Sequence, residues 1–130
     1  MTTNRYLLDT NIIVAYFKQE STVVQKIVSS PRVILSTVVL GELYFGARKS
    51  GRVVQNLDRI EKFREDRLVL TIDVETSQLF GILKRDLEAK GITIPDNDIW
   101  IAAIAMRNDL TVVTRDAHFR HIGGLHRVRW

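Results

Sequence analysis

The 130-residue chain has no cysteine, 2 prolines and 7 glycines. The missing thiol excludes disulfide scaffolds, thiolate zinc sites, iron–sulfur clusters and cysteine nucleophiles, so any metal must be held by oxygen or imidazole. With 45% hydrophobic and 26% charged residues the composition is that of a folded core, not a tether. Long apolar runs are also missing. The stretch nearest the start, Tyr6 to Phe17, is interrupted by Asp9 and is followed by no small-residue cleavage site, so it reads neither as a membrane span nor as a secretion signal. The expectation is a cytoplasmic protein with no membrane partner. The length fits one domain over residues 1–130.

Negative charge is in the minority. Against 19 Lys and Arg stand 15 Asp and Glu, giving a net charge of +4 and a pI near 9.7. That balance suits a polyanionic partner without identifying one. The placement of the acids says more.

Short apolar runs alternate with helical patterns. Strands are expected at RYLLD, at Val33 to Ser36, at Leu68 to Ile72 and at Leu110 to Thr114, with a short one near His126 to Arg129. Helices are expected from about Asn11 to Phe17, Ser21 to Val28, Thr37 to Lys49, Arg52 to Arg64, Asp73 to Lys90 and Asn97 to Met106. Strands separated by helices imply an α/β fold with a parallel sheet covered on both faces. In such sheets ligands gather beyond the carboxyl ends of the strands.

Four acids sit alone at the edges of apolar runs. Asp9 is the only charge between Arg5 and Lys18 and falls where the first strand ends. As a simple alternative it caps the next helix. Glu42 is the only charge from Ile34 to Ala47, on a helical face shared with Val38 and Val39. A carboxylate on apolar surface needs a cation, a metal, a proton or access to water. Gly41 beside it offers room for close approach. Asp98 opens the apolar helix DIWIAAIAM, with Asp96 as a competitor that periodicity does not separate from it. Asp116 follows TVVT, and strand alternation puts Thr114 on the same side.

Any one of these acids could be a cap or a turn residue, but a shared site explains them together. Two carboxylates about 4 Å apart repel by about 4 kcal/mol at an effective dielectric of ~20, so a cluster of three or four needs a counter-cation. Oxygen donors suit Mg²⁺ or Mn²⁺. Such an ion takes phosphate oxygens as further ligands, which equips a cluster of this kind for phosphodiester hydrolysis.

The chain resembles PIN-domain ribonucleases, and among them the VapC toxins of type II toxin–antitoxin modules. The resemblance rests on YLLDTNIIV (Tyr6 to Val14), LSTVVLGELYFGA (Leu35 to Ala47), IPDNDIWIAAIA (Ile94 to Ala105) and LTVVTRDAHF (Leu110 to Phe119), which occur in that order over nearly the whole chain. It implies an αβα sandwich around a short, mostly parallel sheet. It also implies that Asp9, Glu42, Asp98 and Asp116 gather as catalytic metal ligands or their near neighbours, with Asp98 taken over Asp96 because the family acid lies three residues before the Ile of the IAA triplet, here Ile101. Thr114, Asn11 and Ser36 would orient the acids. The implied activity is Mg²⁺- or Mn²⁺-dependent cleavage of RNA by a homodimer, inhibited by a cognate antitoxin whose tail covers the site. Many relatives carry an acid two residues after the last Asp; this chain has His118, which could act as a substitute or contact phosphate when protonated.

For the RNA backbone, Arg48, Lys49 and Arg52 follow the Glu42 helix, and Arg115, Arg120 and His121 lie near Asp116. Tyr44, Phe45 and Trp100 are the aromatics that could stack on bases, though aromatics on apolar helices usually belong to the core. The competing functions are a non-catalytic RNA- or protein-binding module on the same fold, and a phosphotransfer domain. The latter lacks its motif, because Asp9-Thr10-Asn11 supplies neither paired acids nor a DxD. A dinucleotide-binding domain lacks its GxGxxG after the first strand.

Overall fold

A computed structural model describes residues 5–30 and 32–130. The elements run β1 (Arg5–Leu8), α1 (Thr10–Phe17), α2 (Ser21–Ser29), β2 (Arg32–Ser36), α3 (Thr37–Arg48), α4 (Val53–Arg64), β3 (Val69–Leu70), α5 (Val74–Ala89), α6 (Asp96–Arg107), β4 (Thr111–Val113), a 3₁₀ turn (Ala117–His121) and β5 (Arg127–Val128). The five strands form one sheet in the order β3-β2-β1-β4-β5, and every neighbouring pair is parallel. The sheet is therefore parallel throughout, where mostly parallel was expected.

Parallel pairing demands a crossover between successive strands, and the helices supply it. Because both faces are covered, the strands are apolar without alternation. Leu7 and Leu8 of β1, Val33, Ile34 and Leu35 of β2, and Val112 and Val113 of β4 are all buried. On α6, Ile101, Ala102, Ala103, Ile104 and Ala105 are buried as well, and the three small alanines allow the helix to pack closely. α5 packs along α6, α3 along α4, and α1 against both α2 and α3.

The helix boundaries follow capping chemistry. Asp9 caps α1, its side chain accepting from the Thr10 amide. Ser36 caps α3 through the Val39 amide, and Asp73 caps α5 through the Thr76 amide. Gly91 ends the segment after α5 in the left-handed region, at φ 70°. The third strand is two residues long, not the five that its apolar run suggests, because β3 is an edge strand bonded only to β2. Gly41 does not face a close neighbour: a Cβ there would meet no atom within 4 Å. Among the described residues no helix is long and apolar enough to cross a membrane.

One consequence of the strand order positions everything that follows. After β1 the chain moves toward β2, and after β4 it moves the opposite way to β5, although β1 and β4 are adjacent. Their carboxyl ends thus flank the topological switch point, where outgoing connections diverge and leave a crevice.

Candidate active site

Asp9 follows β1, and its amide donates to the Val113 carbonyl of β4 at 2.9 Å. Its carboxylate is 5% exposed. It accepts from the Thr10 amide at 2.8 Å, the Thr114 hydroxyl at 2.7 Å and the Asn11 side-chain amide at 3.4 Å. The capping and functional readings of Asp9 are therefore not alternatives: one oxygen caps α1 and the other meets β4. Burial pushes its pKa up, the bonds from Thr114 and Thr10 pull it down, and the Asp116 charge adds a further upward push.

Thr114 is buried and does two jobs at once. Its hydroxyl donates to Asp9 and accepts from the Asp116 amide at 2.9 Å. Asp116 in turn caps the 3₁₀ turn by accepting from the His118 amide at 2.9 Å. Nδ1 of the His118 ring stands 3.2 Å from Asp98 Oδ2 and 3.1 Å from Asp116 Oδ1, so it bridges an acid on α6 and one after β4.

Asp98 and Asp96 share the first turn of α6 but not an environment. Asp98 is 9% exposed, whereas the Asp96 side chain is 57% exposed and pairs with Lys84 at 3.0 Å. The structure therefore brings Asp98 to the cluster and leaves Asp96 outside it. The Asp98 pKa is raised from 3.8 to about 6, chiefly by burial; the His118 bond lowers it, and the Asp9 and Asp116 charges raise it. Glu42 of α3 is half-buried, and the Thr10 hydroxyl donates to its Oε1 at 2.9 Å. Burial pushes its pKa up, the Thr10 bond pulls it down, and the Asp9 charge again raises it.

All four acids line one cleft of about 460 Å³. Asp98, Asp116 and His118 each present a ligand atom, all within 4.8 Å of one another, so these three could hold a metal ion. Asp9, Glu42 and Asp98, whose pKa values burial pushes up, are donors of the kind a hard divalent cation relieves.

The remaining expected residues divide. Asn11 lines the cleft, and its carbonyl oxygen also accepts from the Arg115 amide at 3.3 Å. Ser36 does not line it; its hydroxyl oxygen is occupied by the Val39 amide at 3.2 Å. Arg115 lines the cleft but is committed, with a two-pronged contact to Glu20 at 3.2 and 3.0 Å and a bond from Nε to the Trp130 carbonyl at 3.0 Å. Arg48, Lys49, Arg52 and Arg120 are exposed and do not line it. Lys49 instead lies over the Phe45 ring at 4.8 Å, and Arg120 reaches the Ala117 carbonyl at 3.4 Å. Trp100 stacks on Phe80 with ring centroids 3.8 Å apart, and Tyr44 donates to Glu61 at 2.5 Å, so neither is available as a base platform. Sequence reasoning missed Thr10, Lys18 and Glu20, which all line the cleft. Thr10, Val14 and Lys18 recur at the four-residue helical spacing, a signal that could have found the first two cleft contacts of α1 and its Lys together.

This combination of a five-stranded parallel sheet, a switch-point cleft and an acidic cluster defines a class. The PIN domain family matches residues 6–125, and the chain belongs to that family. Within it the similarity runs to the VapC ribonucleases. The chain is 30% identical to Ribonuclease VapC2 of Rickettsia felis, over 96% of its own length and 97% of that protein's. It is also 30% identical to the tRNA(fMet)-specific endonuclease VapC of Shigella flexneri, with 97% and 98% covered. Among solved structures, DNA-bound VapBC from Salmonella typhimurium superposes with a TM-score of 0.90 at 28% identity, covering 100% of this chain and 99% of that one.

Proposed function

We propose that this chain is a metal-dependent endoribonuclease acting as the toxin of a toxin–antitoxin pair in the cytoplasm, a single domain over residues 1–130. The observation that carries the reading is the convergence of Asp9, Glu42, Asp98 and Asp116 on one cleft at the switch point. These acids, with His118 beside two of them, would hold Mg²⁺ or Mn²⁺. When bound, such an ion polarises the scissile phosphate, activates water and neutralises developing charge.

The chain's own residues prepare for that. Thr114 fixes Asp9 and, through the Asp116 amide, the turn carrying Asp116, while Thr10 holds Glu42 from the opposite side. His118 spans Asp98 and Asp116, and its side chain is 48% exposed, so the ring is open to an incoming phosphate. The likeness to VapBC complexes supports an antitoxin as partner; a tail of that antitoxin over the cleft and a homodimeric working state are part of the same proposal.

Incubating the purified protein with total RNA, with Mg²⁺, with Mn²⁺ and with a chelator, and mapping the new ends, tests the reading. Defined new ends that need either ion are expected. RNA left whole under all three conditions overturns it.

A further inference from the structure

The acidic cleft offers little to hold a long polyanion: of the expected flanking cations only Arg115 lines it, and that side chain is paired with Glu20. What adjoins it is a chain of hollows. The cleft shares Thr10, Val14, Lys18 and Glu42 with a second hollow of about 360 Å³ between α1, α3 and α4. That hollow shares Phe17 and Arg59 with a third, of about 420 Å³, which Lys62, Phe63 and Arg67 also line. A path therefore leaves the acids beside Lys18, passes Arg59 and ends at Arg67.

The chemistry changes along it. Arg59 lies over the Phe17 ring at 5.6 Å and Arg67 over the Phe63 ring at 4.5 Å. Neither guanidinium is within 4.0 Å of a carboxylate among the described residues, whereas the neighbouring Lys62 is paired with Asp58. A guanidinium over an aromatic ring keeps its charge for a phosphate, and that of Arg67 is further positioned by a bond from Nε to the Phe63 carbonyl at 2.8 Å. Backbone cations with planar platforms are what single-stranded RNA uses.

We infer that the path from Lys18 past Arg59 to Arg67 is the track for single-stranded RNA on one side of the cleaved bond, with Arg59 and Arg67 contacting successive phosphates or stacking on bases. This rests on the ribonuclease reading above and names where its substrate runs. Arg59 and Arg67 suit a polyanion, and because the path opens from the catalytic cleft the polyanion assigned to it is the RNA substrate.

The test is Arg59→Gln with Arg67→Gln, compared with Arg59→Lys with Arg67→Lys and with Lys26→Gln plus Arg85→Gln as a charge-matched change on other helices. Binding of a fluorescein-labelled single-stranded oligoribonucleotide is followed with Mg²⁺ in an Asp98→Asn background, across a salt series. Thermal unfolding verifies that each variant folds. The glutamine pair should weaken binding about tenfold or more and reduce the slope of log K against log salt by about 1.4, the value for two lost phosphate contacts. The lysine pair should restore the slope, and the charge-matched control should bind as the parent does. With Asp98 intact, the glutamine pair should raise KM about tenfold and leave kcat within about twofold.

Unchanged RNA binding by the glutamine pair overturns the inference while leaving the ribonuclease reading in place. So does a larger loss from Lys49→Gln with Arg52→Gln, or a loss confined to an acidic partner peptide. If the parent cuts no RNA yet the glutamine pair still loses binding and slope, the track stands and the catalytic reading fails.

Discussion

On one wall of the cleft Asp9 receives hydrogen bonds from Thr10, Asn11 and Thr114; on the other Glu42 receives one, from Thr10. The first wall is made where two central strands end, and its acid is almost fully buried. The second hangs from α3, and its acid is half-buried. The contrast teaches that this site is only partly rigid. Thr114 ties Asp9 and the Asp116 amide together, while Glu42 is held by one bond from Thr10.

The largest effect should come from neutralising the fixed acids. Asp9→Asn and Asp98→Asn are expected to reduce RNA cleavage to background while the protein stays folded, since Asn caps α1 about as well as Asp9 does and Asp98 caps no helix. Without metal, Asp98→Asn should melt at or above the parent's temperature because mutual repulsion falls. Full cleavage by both metal-saturated variants would remove the assignment.

The next effect sets the two walls against each other directly. Thr114→Val should lower cleavage by ~10–100-fold, the usual cost of losing a group that orients a metal ligand. It should also destabilise the fold by about 1–3 kcal/mol, because Asp9 and the Asp116 amide both lose a buried partner. Thr10→Val should cost less than about tenfold in cleavage. If Thr10→Val proved the more damaging, Glu42 would be the rigid partner and the comparison would reverse. Parallel rate and melting measurements decide it.

A smaller effect lies in pH. The folded Asp98 carboxyl has a pKa raised from 3.8 to about 6, so between those values the folded state binds more protons than the unfolded one. Stability contributed by this group is therefore present below pH 3.8 and lost as pH rises through about 6. In metal-free protein, the melting temperature of Asp98→Asn should gain on the parent's across that window. Mg²⁺ added above it should help the parent more than the variant. The smallest change is Asp96→Asn, two residues away on the same helix. Losing its exposed pair with Lys84 should cost at most ~1 kcal/mol and leave cleavage unaltered.

Much of this was legible in the sequence, for a physical reason. A lone carboxylate at the end of an apolar strand is conspicuous, and Asp9 and Asp116 stand out on that ground. Asp98 did not separate from Asp96 by periodicity, because α6 is buried along most of its length, and only the motif resemblance preferred it. The extent of β3 was overread, since an apolar run does not reveal that its strand lies at an edge. Which cations line the cleft was hidden for a related reason. Arg48, Lys49 and Arg52 are close to Glu42 in sequence, but the cleft is completed by Lys18, one helix away. Thr10 was hidden by its own position next to Asp9, where it looks like an ordinary opening residue of a helix although its hydroxyl serves Glu42.

The bond from Thr114 to Asp9 joins residues 105 positions apart. On the ribosome, then, the Asp9 carboxylate acquires this partner only after all the residues between them have been translated. A nascent chain that has not yet reached Thr114 lacks the residue that holds Asp9 and the turn carrying Asp116.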